Sequence, residues 1–276
     1  MRKHTGFRRG ITGCLALLYL ASVMAVALAS LSQAVWPEAA GTKKKTSGGL
    51  TVDFSHAQDG YMMIKGPVCE QKLKVRITCG DDQWIYNLNR KGEYEVFPLQ
   101  KGSGTYQCEL LKNASGKKYA KNGKVSIKAE LLDENAAFLC PNQYVSYTAQ
   151  TQAVLRSEEL CAGLSGDREK FEAVREYIKS SFVYDHVKAV MVQKETLPDI
   201  DGCYEKGMGI CQDLAAMAAC MLRVQGVPTK LIIGYAGNSY HAWTGVIIDG
   251  EEILYDPTLD LNGIAGNQPY TVERYY

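Results

Sequence analysis

The chain has 276 residues, of which 46% are hydrophobic and 22% are charged, and its formal net charge is +1 at pH 7. This composition is that of an ordinary globular protein and excludes a largely disordered chain. A nearly neutral chain lacks the broad positive field that nucleic-acid binding usually requires, so nucleic acid is excluded as an expected partner.

The first 35 residues have the pattern of an export signal. A basic segment that contains Arg8 and Arg9 is followed by an apolar run from residue 11 to residue 31, and Ala27-Leu28-Ala29 supplies the small residues suited to cleavage. Because roughly 20 apolar residues can also span a bilayer, this segment (1–35) is predicted to be a cleaved signal peptide or a retained membrane anchor. Either alternative places the rest of the protein outside the cytoplasm, secreted or anchored to the cell membrane.

Export changes the expectation for the cysteines, because thiols outside the cytoplasm tend to form disulfides. Cys14 belongs to the leader, and eight cysteines follow it. If Cys211 stays free for catalysis, as argued below, at most three disulfides form and one thiol remains unpaired. Cys220, in an alanine-rich predicted helix, is the candidate for that buried unpaired thiol.

A linker and a strand-rich domain follow the leader. Small and polar residues with a lysine run predict a flexible linker at 36–49. Residues 50–140 alternate apolar and polar side chains in short runs, as at 72–77, and turn signals such as Asn122-Gly123 separate the runs. About seven short strands at this close spacing predict a small all-β, sandwich-like domain. Its sequence offers no catalytic constellation, so a structural or binding role is expected.

The segment 207–258 contains three residues suited to nucleophilic catalysis. Cys211 begins a predicted buried helix, where unpaired amide groups and the helix dipole stabilise a thiolate and can bind an oxyanion. His241 begins one predicted strand and Asp256 ends the next. Together they supply a sulfur nucleophile, a base and a carboxylate that orients the base. Asp213, in the same helical turn as the cysteine, is expected to act as a structural cap.

The register of a predicted hairpin decides whether this triad can form. Asp249-Gly250 is a strong signal for a two-residue turn between the two strands. In that register Asp256 lies diagonal to His241 on the same face of the sheet, within side-chain reach. A slip of one residue would move Asp256 to the opposite face, so the triad depends on the predicted register.

Five short motifs in this region resemble a known family. They are Gly-Ile-Cys211-Gln-Asp-Leu-Ala, Met-Leu-Arg223-Val-Gln-Gly-Val-Pro228, Gly234-Tyr235, His241-Ala-Trp243 and Leu-Tyr-Asp256-Pro-Thr258. With the upstream segment 171–185, they closely resemble the core of the transglutaminase-like superfamily over residues 150–266.

The resemblance implies an α+β fold for residues 150–276, a papain-like transglutaminase core in which a helix-borne cysteine packs on an antiparallel sheet. It also implies that Cys211 is the nucleophile, His241 the base and Asp256 the orienting residue. The resemblance does not extend to the strand-rich domain at 50–140, which precedes this core.

Two aromatic residues near the triad have alternative interpretations. Tyr204, just before the glycine turn, either donates a second hydrogen bond to the oxyanion or packs as an ordinary tyrosine, which is the commoner case. Trp243 shares a strand face with His241, and we interpret it as a wall of the substrate cleft rather than as a core residue.

The sequence therefore predicts an exported cysteine enzyme that transfers acyl groups from protein or peptide amides through a Cys211 thioester. Cross-linking, deamidation or hydrolysis follows, depending on whether an amine or water accepts the acyl group. No cofactor or metal is expected, because the sequence contains neither zinc-type ligand spacing nor an acidic calcium loop. The alternatives are a cysteine peptidase with the same triad and a non-catalytic binding or adhesion module of the cell surface.

Overall fold

The computed structural model describes residues 34–193, 195–264, 266 and 268–276. Over these residues the fold is mixed α+β with antiparallel sheets, as predicted. The predicted export segment and Cys14 lie outside the described residues, except for Ala34 and Val35. Within the described part of the chain, none of the helices has the length and apolar character that a membrane span needs.

The described residues form fourteen strands. In chain order these are β1 (Lys44–Ser47), β2 (Leu50–Asp53), β3 (Tyr61–Lys65), β4 (Leu73–Cys79), β5 (Asp82–Leu88), β6 (Glu95–Pro98), β7 (Gly104–Ser115), β8 (Lys118–Ala129), β9 (Val183–Tyr184), β10 (Met208–Gly209), β11 (Thr229–Ala236), β12 (Ser239–Ile248), β13 (Glu251–Tyr255) and β14 (Tyr270–Tyr275).

The helices of the described residues all follow the strand-rich region. They are α1 (Gln152–Cys161), α2 (Asp167–Ser181), α3 (His186–Met191), α4 (Ile200–Lys206), α5 (Cys211–Arg223) and α6 (Pro257–Leu261). Two short 3-10 turns, Ala57–Asp59 and Ala136–Leu139, lie earlier in the chain.

Two antiparallel sheets form the strand-rich region. One has the strand order β1-β2-β3-β6 and the other the order β5-β4-β7-β8. Leu73, Val75 and Ile77 of β4 are buried, while the residues between them are half-buried. Across the interior, the Cys108 sulfur of β7 lies 3.7 Å from the Met62 sulfur of β3. The alternation buries one face of each sheet against the other, which gives the predicted sandwich-like arrangement.

Strand β1 corrects the prediction of a flexible linker at 36–49. Its residues pair antiparallel with β2, with Lys44 opposite Asp53. The Gly41 backbone N–H also donates to Asp53 Oδ2 at 2.6 Å. The strand could not be recognised from its polar, lysine-rich sequence, because β1 lies at a sheet edge. Only one side of an edge strand pairs, and lysines are common there.

The cysteines do not form the expected disulfides. All eight that the structure describes are free. The buried ones are Cys79, Cys108, Cys140, Cys161, Cys203 and Cys220. Burial raises the pKa of the Cys108 and Cys140 thiols to about 12, so both stay protonated and unreactive near neutral pH. Cys220 is buried and unpaired as expected, but it shares this state with the others.

Helix α5 is the centre of the second region. Every residue from Asp213 to Arg223 is buried. The sheet β13-β12-β11-β14 packs on one side of α5, through β11 and β12, while α1, α2 and α4 pack elsewhere around it. A helix that is covered on all sides can be apolar all round, which explains its continuous run of alanine, leucine and methionine.

Arg223, at the end of α5, links the two regions of the chain. Its guanidinium is fully buried and donates to the carbonyl oxygens of Thr229 (2.9 Å), Cys140 (2.6 Å) and Tyr276 (2.8 Å). The Tyr276 ring stacks on Tyr144 with centroids 3.6 Å apart. The strand-rich region and the helical region therefore share one continuous core.

Candidate active site

Two glycines bring the chain into the start of α5. Gly207 has a left-handed φ of 62°, which ends α4 and turns the chain. At Gly209, an added Cβ would lie 2.6 Å from the Cys203 sulfur and 3.0 Å from the Asp213 Cβ. Only glycine fits there, and its close approach brings Cys211 to the first helical position of α5. The thiol is half-buried at this helix start.

The Asp213 carboxylate stabilises the start of α5 through three hydrogen bonds. Its Oδ2 accepts the Ile210 backbone N–H at 3.0 Å and the Lys188 ammonium at 2.7 Å. Its Oδ1 accepts the Asp199 backbone N–H at 3.0 Å. The carboxylate is thus a structural cap, as expected, and it also ties α3 and the segment before α4 to the first turn of α5.

The hairpin that carries the other two triad residues has the predicted register. Ile248 lies opposite Glu251, and Thr244 lies opposite Tyr255. At the turn, Asp249 and Gly250 have φ angles of 55° and 80°, the left-handed pair that a two-residue turn of this type requires. With this register, His241 Nε2 lies 2.7 Å from Asp256 Oδ2.

The Asp256 carboxylate accepts four hydrogen bonds. Oδ1 accepts the backbone N–H groups of Thr258 (3.1 Å) and Leu259 (3.2 Å) and so caps α6. Oδ2 accepts from His241 Nε2 and from the Tyr270 hydroxyl, which lies 2.9 Å away. Both oxygens are therefore fixed, one by a helix start and the other by two side chains.

His241 is arranged to exchange a proton with Cys211. Burial disfavours the charged imidazole, but hydrogen bonds to Asp256 and Cys211 and the negative charges of both groups raise the pKa of His241 to about 9. The ring is therefore an imidazolium at neutral pH. Since Nε2 bonds Asp256, Nδ1 remains for the sulfur. An adjacent imidazolium stabilises a cysteine thiolate, which is the nucleophilic form.

Tyr184 lies beside the nucleophile and was not singled out from the sequence. Strand β9 pairs parallel with β10, and this places Tyr184 opposite Gly209. Burial and the negative charges of Cys211 and Asp213 raise the pKa of Tyr184, while a hydrogen bond from the Cys211 backbone N–H opposes that shift. The Tyr184 hydroxyl therefore lies at the Cys211 backbone N–H, the amide that would bind an oxyanion.

Tyr204 follows the commoner of its two interpretations and packs as an ordinary tyrosine. It lies on α4, where its ring centroid is 6.2 Å from that of Phe182. Its side chain lies beside that of Tyr177 on α2 and contributes to the raised pKa of that residue. Because α4 directs Tyr204 toward α2, its side chain packs with other aromatic residues, and the oxyanion-binding alternative does not apply.

The prediction that Trp243 walls the substrate cleft is wrong. The residue is only 1% exposed. Its ring lies nearly parallel to His241, at 6.3 Å between centroids, and meets the Tyr270 ring edge-on at 4.9 Å. Because these two rings cover the indole, Trp243 packs against the His241 imidazole and does not form a cleft wall.

One cavity of the described residues lies away from the triad. Its volume is about 620 Å³, and it lies between the edge strand β6 and the segment 141–149, where Leu197 and Pro198 also line it. Cys211, His241 and Asp256 are not among its lining residues. Among the described residues, no group of three or more potential metal ligands is found.

The transglutaminase-like superfamily is the family whose model matches the chain, over residues 156–257. This match confirms the resemblance and covers less than half of the chain. No curated protein is significantly similar in sequence.

Solved structures with weak similarity carry related names. A candidate cysteine protease from Cytophaga hutchinsonii is 14% identical, with a TM-score of 0.42 and coverage of 79% of this chain and 71% of its own. A structure named a TGase is 22% identical, with a TM-score of 0.34 and coverage of 45% and 34%. Red sea bream transglutaminase is 13% identical, with a TM-score of 0.26 and coverage of 73% and 48%.

Proposed function

We propose that this chain, whose residues 156–257 form a core of the transglutaminase-like superfamily, is an exported cysteine enzyme that transfers acyl groups from protein or peptide amides. One observation carries the proposal. His241 hydrogen-bonds the Asp256 carboxylate at 2.7 Å, and the Cys211 side chain is near enough to raise the pKa of the same imidazole. A nucleophile, a proton carrier and an orienting carboxylate thus lie in the order that acyl transfer requires.

The first half-reaction forms a thioester. The Cys211 thiolate attacks the amide carbonyl carbon, and the resulting oxyanion develops beside the first turn of α5, where the helix dipole stabilises negative charge. The His241 imidazolium then protonates the leaving nitrogen as the carbon–nitrogen bond breaks. Asp256 keeps the imidazole oriented and stabilises its positive charge throughout.

The second half-reaction releases the acyl group. An amine or a water molecule attacks the thioester, and neutral His241 takes its proton. The carbon–sulfur bond breaks, the thiolate returns, and the His241 imidazolium beside it is restored. A lysine amine gives an isopeptide bond with a glutamine acyl donor, whereas water gives deamidation or peptide hydrolysis.

Mass spectrometry of candidate peptides, incubated with and without a primary amine, separates these outcomes. Amine incorporation, deamidation and backbone cleavage change peptide mass differently. We expect incorporation or deamidation at glutamine. Backbone cleavage alone would identify a peptidase that uses the same triad.

The Cys211→Ala variant tests the nucleophile. We expect it to abolish turnover and the selective alkylation by iodoacetamide at neutral pH. The matched control is Cys69→Ala, because Cys69 is the other half-buried thiol among the described residues and lies in the strand-rich region. Full activity in Cys211→Ala contradicts the mechanism. Alkylation of Cys211 no faster than that of Cys69 favours a non-catalytic binding module.

Export is a separate part of the proposal. It is supported by the basic and apolar pattern of residues 1–35. The absence of disulfides among the described cysteines is compatible with it, because six of these thiols are buried away from oxidants. A fusion of residues 1–35 to a reporter that is active only outside the cytoplasm should be active. An inactive fusion overturns the assignment, and the size of the mature chain distinguishes cleavage from anchoring.

A further inference from the structure

We infer that Tyr270 is a positioning residue of the triad, whose hydroxyl holds the Asp256 carboxylate in the orientation that His241 needs. The inference rests on the proposed function and goes beyond the family match, which ends at residue 257. Tyr270 lies on strand β14, which pairs with β11 and places Tyr270 opposite Ala236.

The contacts of Asp256 define what Tyr270 does. The tyrosine hydroxyl donates to Oδ2 at 2.9 Å, and the same oxygen accepts the His241 ring at 2.7 Å. The other oxygen is occupied by the backbone N–H groups that begin α6. Rotation of the carboxylate would break bonds at both oxygens at once. Without Tyr270, the bond to His241 would be the only side-chain contact that opposes such a rotation.

Tyr270 is itself held in place from two directions. Its ring packs edge-on against Trp243 at 4.9 Å, and Trp243 in turn lies under His241. The Gln268 side-chain amide donates to the Tyr270 hydroxyl oxygen at 3.2 Å. Because the oxygen accepts this bond, its hydrogen is directed toward Asp256. The hydroxyl is therefore a fixed donor rather than a freely rotating group.

The charged groups around the site keep this arrangement over the neutral pH range. Burial and the negative charge of Asp256 raise the pKa of Tyr270, so its hydroxyl stays protonated and remains a donor. Asp256 faces His241 and Tyr270, and His241 faces Asp256 and Cys211. With two donors on Oδ2, the His241 proton at Nε2 is fixed, and Nδ1 is the nitrogen that exchanges a proton with the thiol.

The test compares two variants that each remove one hydroxyl from β14, Tyr270→Phe and the matched control Tyr275→Phe. The readout is the rate of Cys211 alkylation by iodoacetamide as a function of pH, which reports the thiolate paired with His241. Because hydrogen bonds to charged groups are strong, we expect Tyr270→Phe to react about tenfold more slowly near pH 6 and to need a higher pH for half-maximal reactivity. Tyr275→Phe should match the unmodified chain.

A spectroscopic readout distinguishes positioning from a general loss of structure. The His241 Nε2 proton signal in NMR should move or broaden in Tyr270→Phe, while the circular dichroism spectrum and the thermal midpoint stay close to those of Tyr275→Phe. If Tyr270→Phe does not fold, Gln268→Ala decides, because it releases the hydroxyl without removing the ring. We expect a smaller slowing of alkylation in that variant, and an unchanged rate overturns the inference.

The two proposals fail in different ways. If Cys211 of the unmodified chain reacts no faster than Cys69, the proposed function fails. If Cys211 is selectively reactive but Tyr270→Phe has the pH profile and the His241 signal of Tyr275→Phe, only the positioning role of Tyr270 is overturned.

Discussion

Two buried carboxylates begin two helices in this protein, and they do different things. Asp213 is 0% exposed and Asp256 is 6% exposed. Asp213 caps α5 through the Ile210 backbone N–H, and Asp256 caps α6 through those of Thr258 and Leu259. Each carboxylate also bonds a side chain from another segment of the chain.

The two carboxylates differ in the side chain that bonds them, and this difference separates a structural role from a chemical one. Asp213 bonds the Lys188 ammonium, and Asp256 bonds the His241 imidazole. A lysine ammonium holds its charge near neutral pH, whereas a histidine can release its proton there. Both carboxylates accept backbone N–H groups at a helix start, Asp213 from the third helical position and Asp256 from the residue before the helix. The lysine partner makes Asp213 a structural contact, and we expect the histidine partner to make Asp256 part of a proton-exchanging pair.

The largest expected effect is that of Asp256→Asn on turnover. An amide can still cap α6, but it cannot stabilise the His241 imidazolium, and it favours the wrong ring tautomer. We expect turnover in the peptide assay to fall on the order of 10³ to 10⁴-fold, with the fold retained. Turnover within a few-fold of the unmodified chain would show that the carboxylate does not orient the base.

Asp260→Asn is the matched control for this variant. Asp260 lies in α6, whose start Asp256 caps, and its carboxylate bonds Arg175 Nε at 2.8 Å and a second guanidinium nitrogen at 3.0 Å. We expect unchanged turnover and a loss of about 1.5–3 kcal/mol in the free energy of unfolding, because this carboxylate is half-buried and hydrogen bonds to charged groups contribute about that much.

Asp213→Asn should act mainly on stability. It leaves the Lys188 ammonium without its partner and weakens the cap of α5. We expect the free energy of unfolding in urea to fall by about 3 kcal/mol, the lower end for a broken buried pair. Alkylation of Cys211 in the folded protein should stay within about tenfold of the unmodified rate. A large loss in the alkylation rate with unchanged stability would contradict a purely structural role for Asp213.

The smallest effect is a change in the titration of His241. Its pKa is about 9 because Asp256 and Cys211 outweigh burial. Cys211→Ala removes one of these partners, so an NMR titration should give a pKa lower by about 1 but still above the ordinary value of about 6.5. A folded-state pKa above the unfolded one means that protonation stabilises the fold. This contribution is complete below about pH 6.5 and is lost as the pH rises through the folded-state pKa.

Local signals in the sequence were enough to predict the hairpin and the helix start. Asp249-Gly250 fixes a turn that adopts left-handed angles, and the turn fixes which residues share a face. The glycines before Cys211 and the apolar run after it mark the beginning of a buried helix. Both features depend on neighbours in the chain, so the sequence contains the information directly.

The partners that come from distant segments could not be predicted in this way. Tyr184 reaches Cys211 through a two-residue parallel pairing, and Tyr270 reaches Asp256 through the last described strand. For Trp243, the strand alternation gives the correct face, but it does not reveal that Tyr270 covers the indole. Residues 44–47 read as a linker because an edge strand needs few apolar residues.

The buried guanidinium of Arg223 couples the unfolding of the two regions. It bonds Cys140 at the end of the strand-rich domain, Thr229 on β11 and Tyr276 beyond β14. Opening the strand-rich region alone would remove the Cys140 acceptor and leave one donor of a buried charge unpaired, at a cost of about 1–3 kcal/mol. Partial opening is therefore disfavoured, and the two regions should lose their structure in one cooperative transition although only one of them contains the triad.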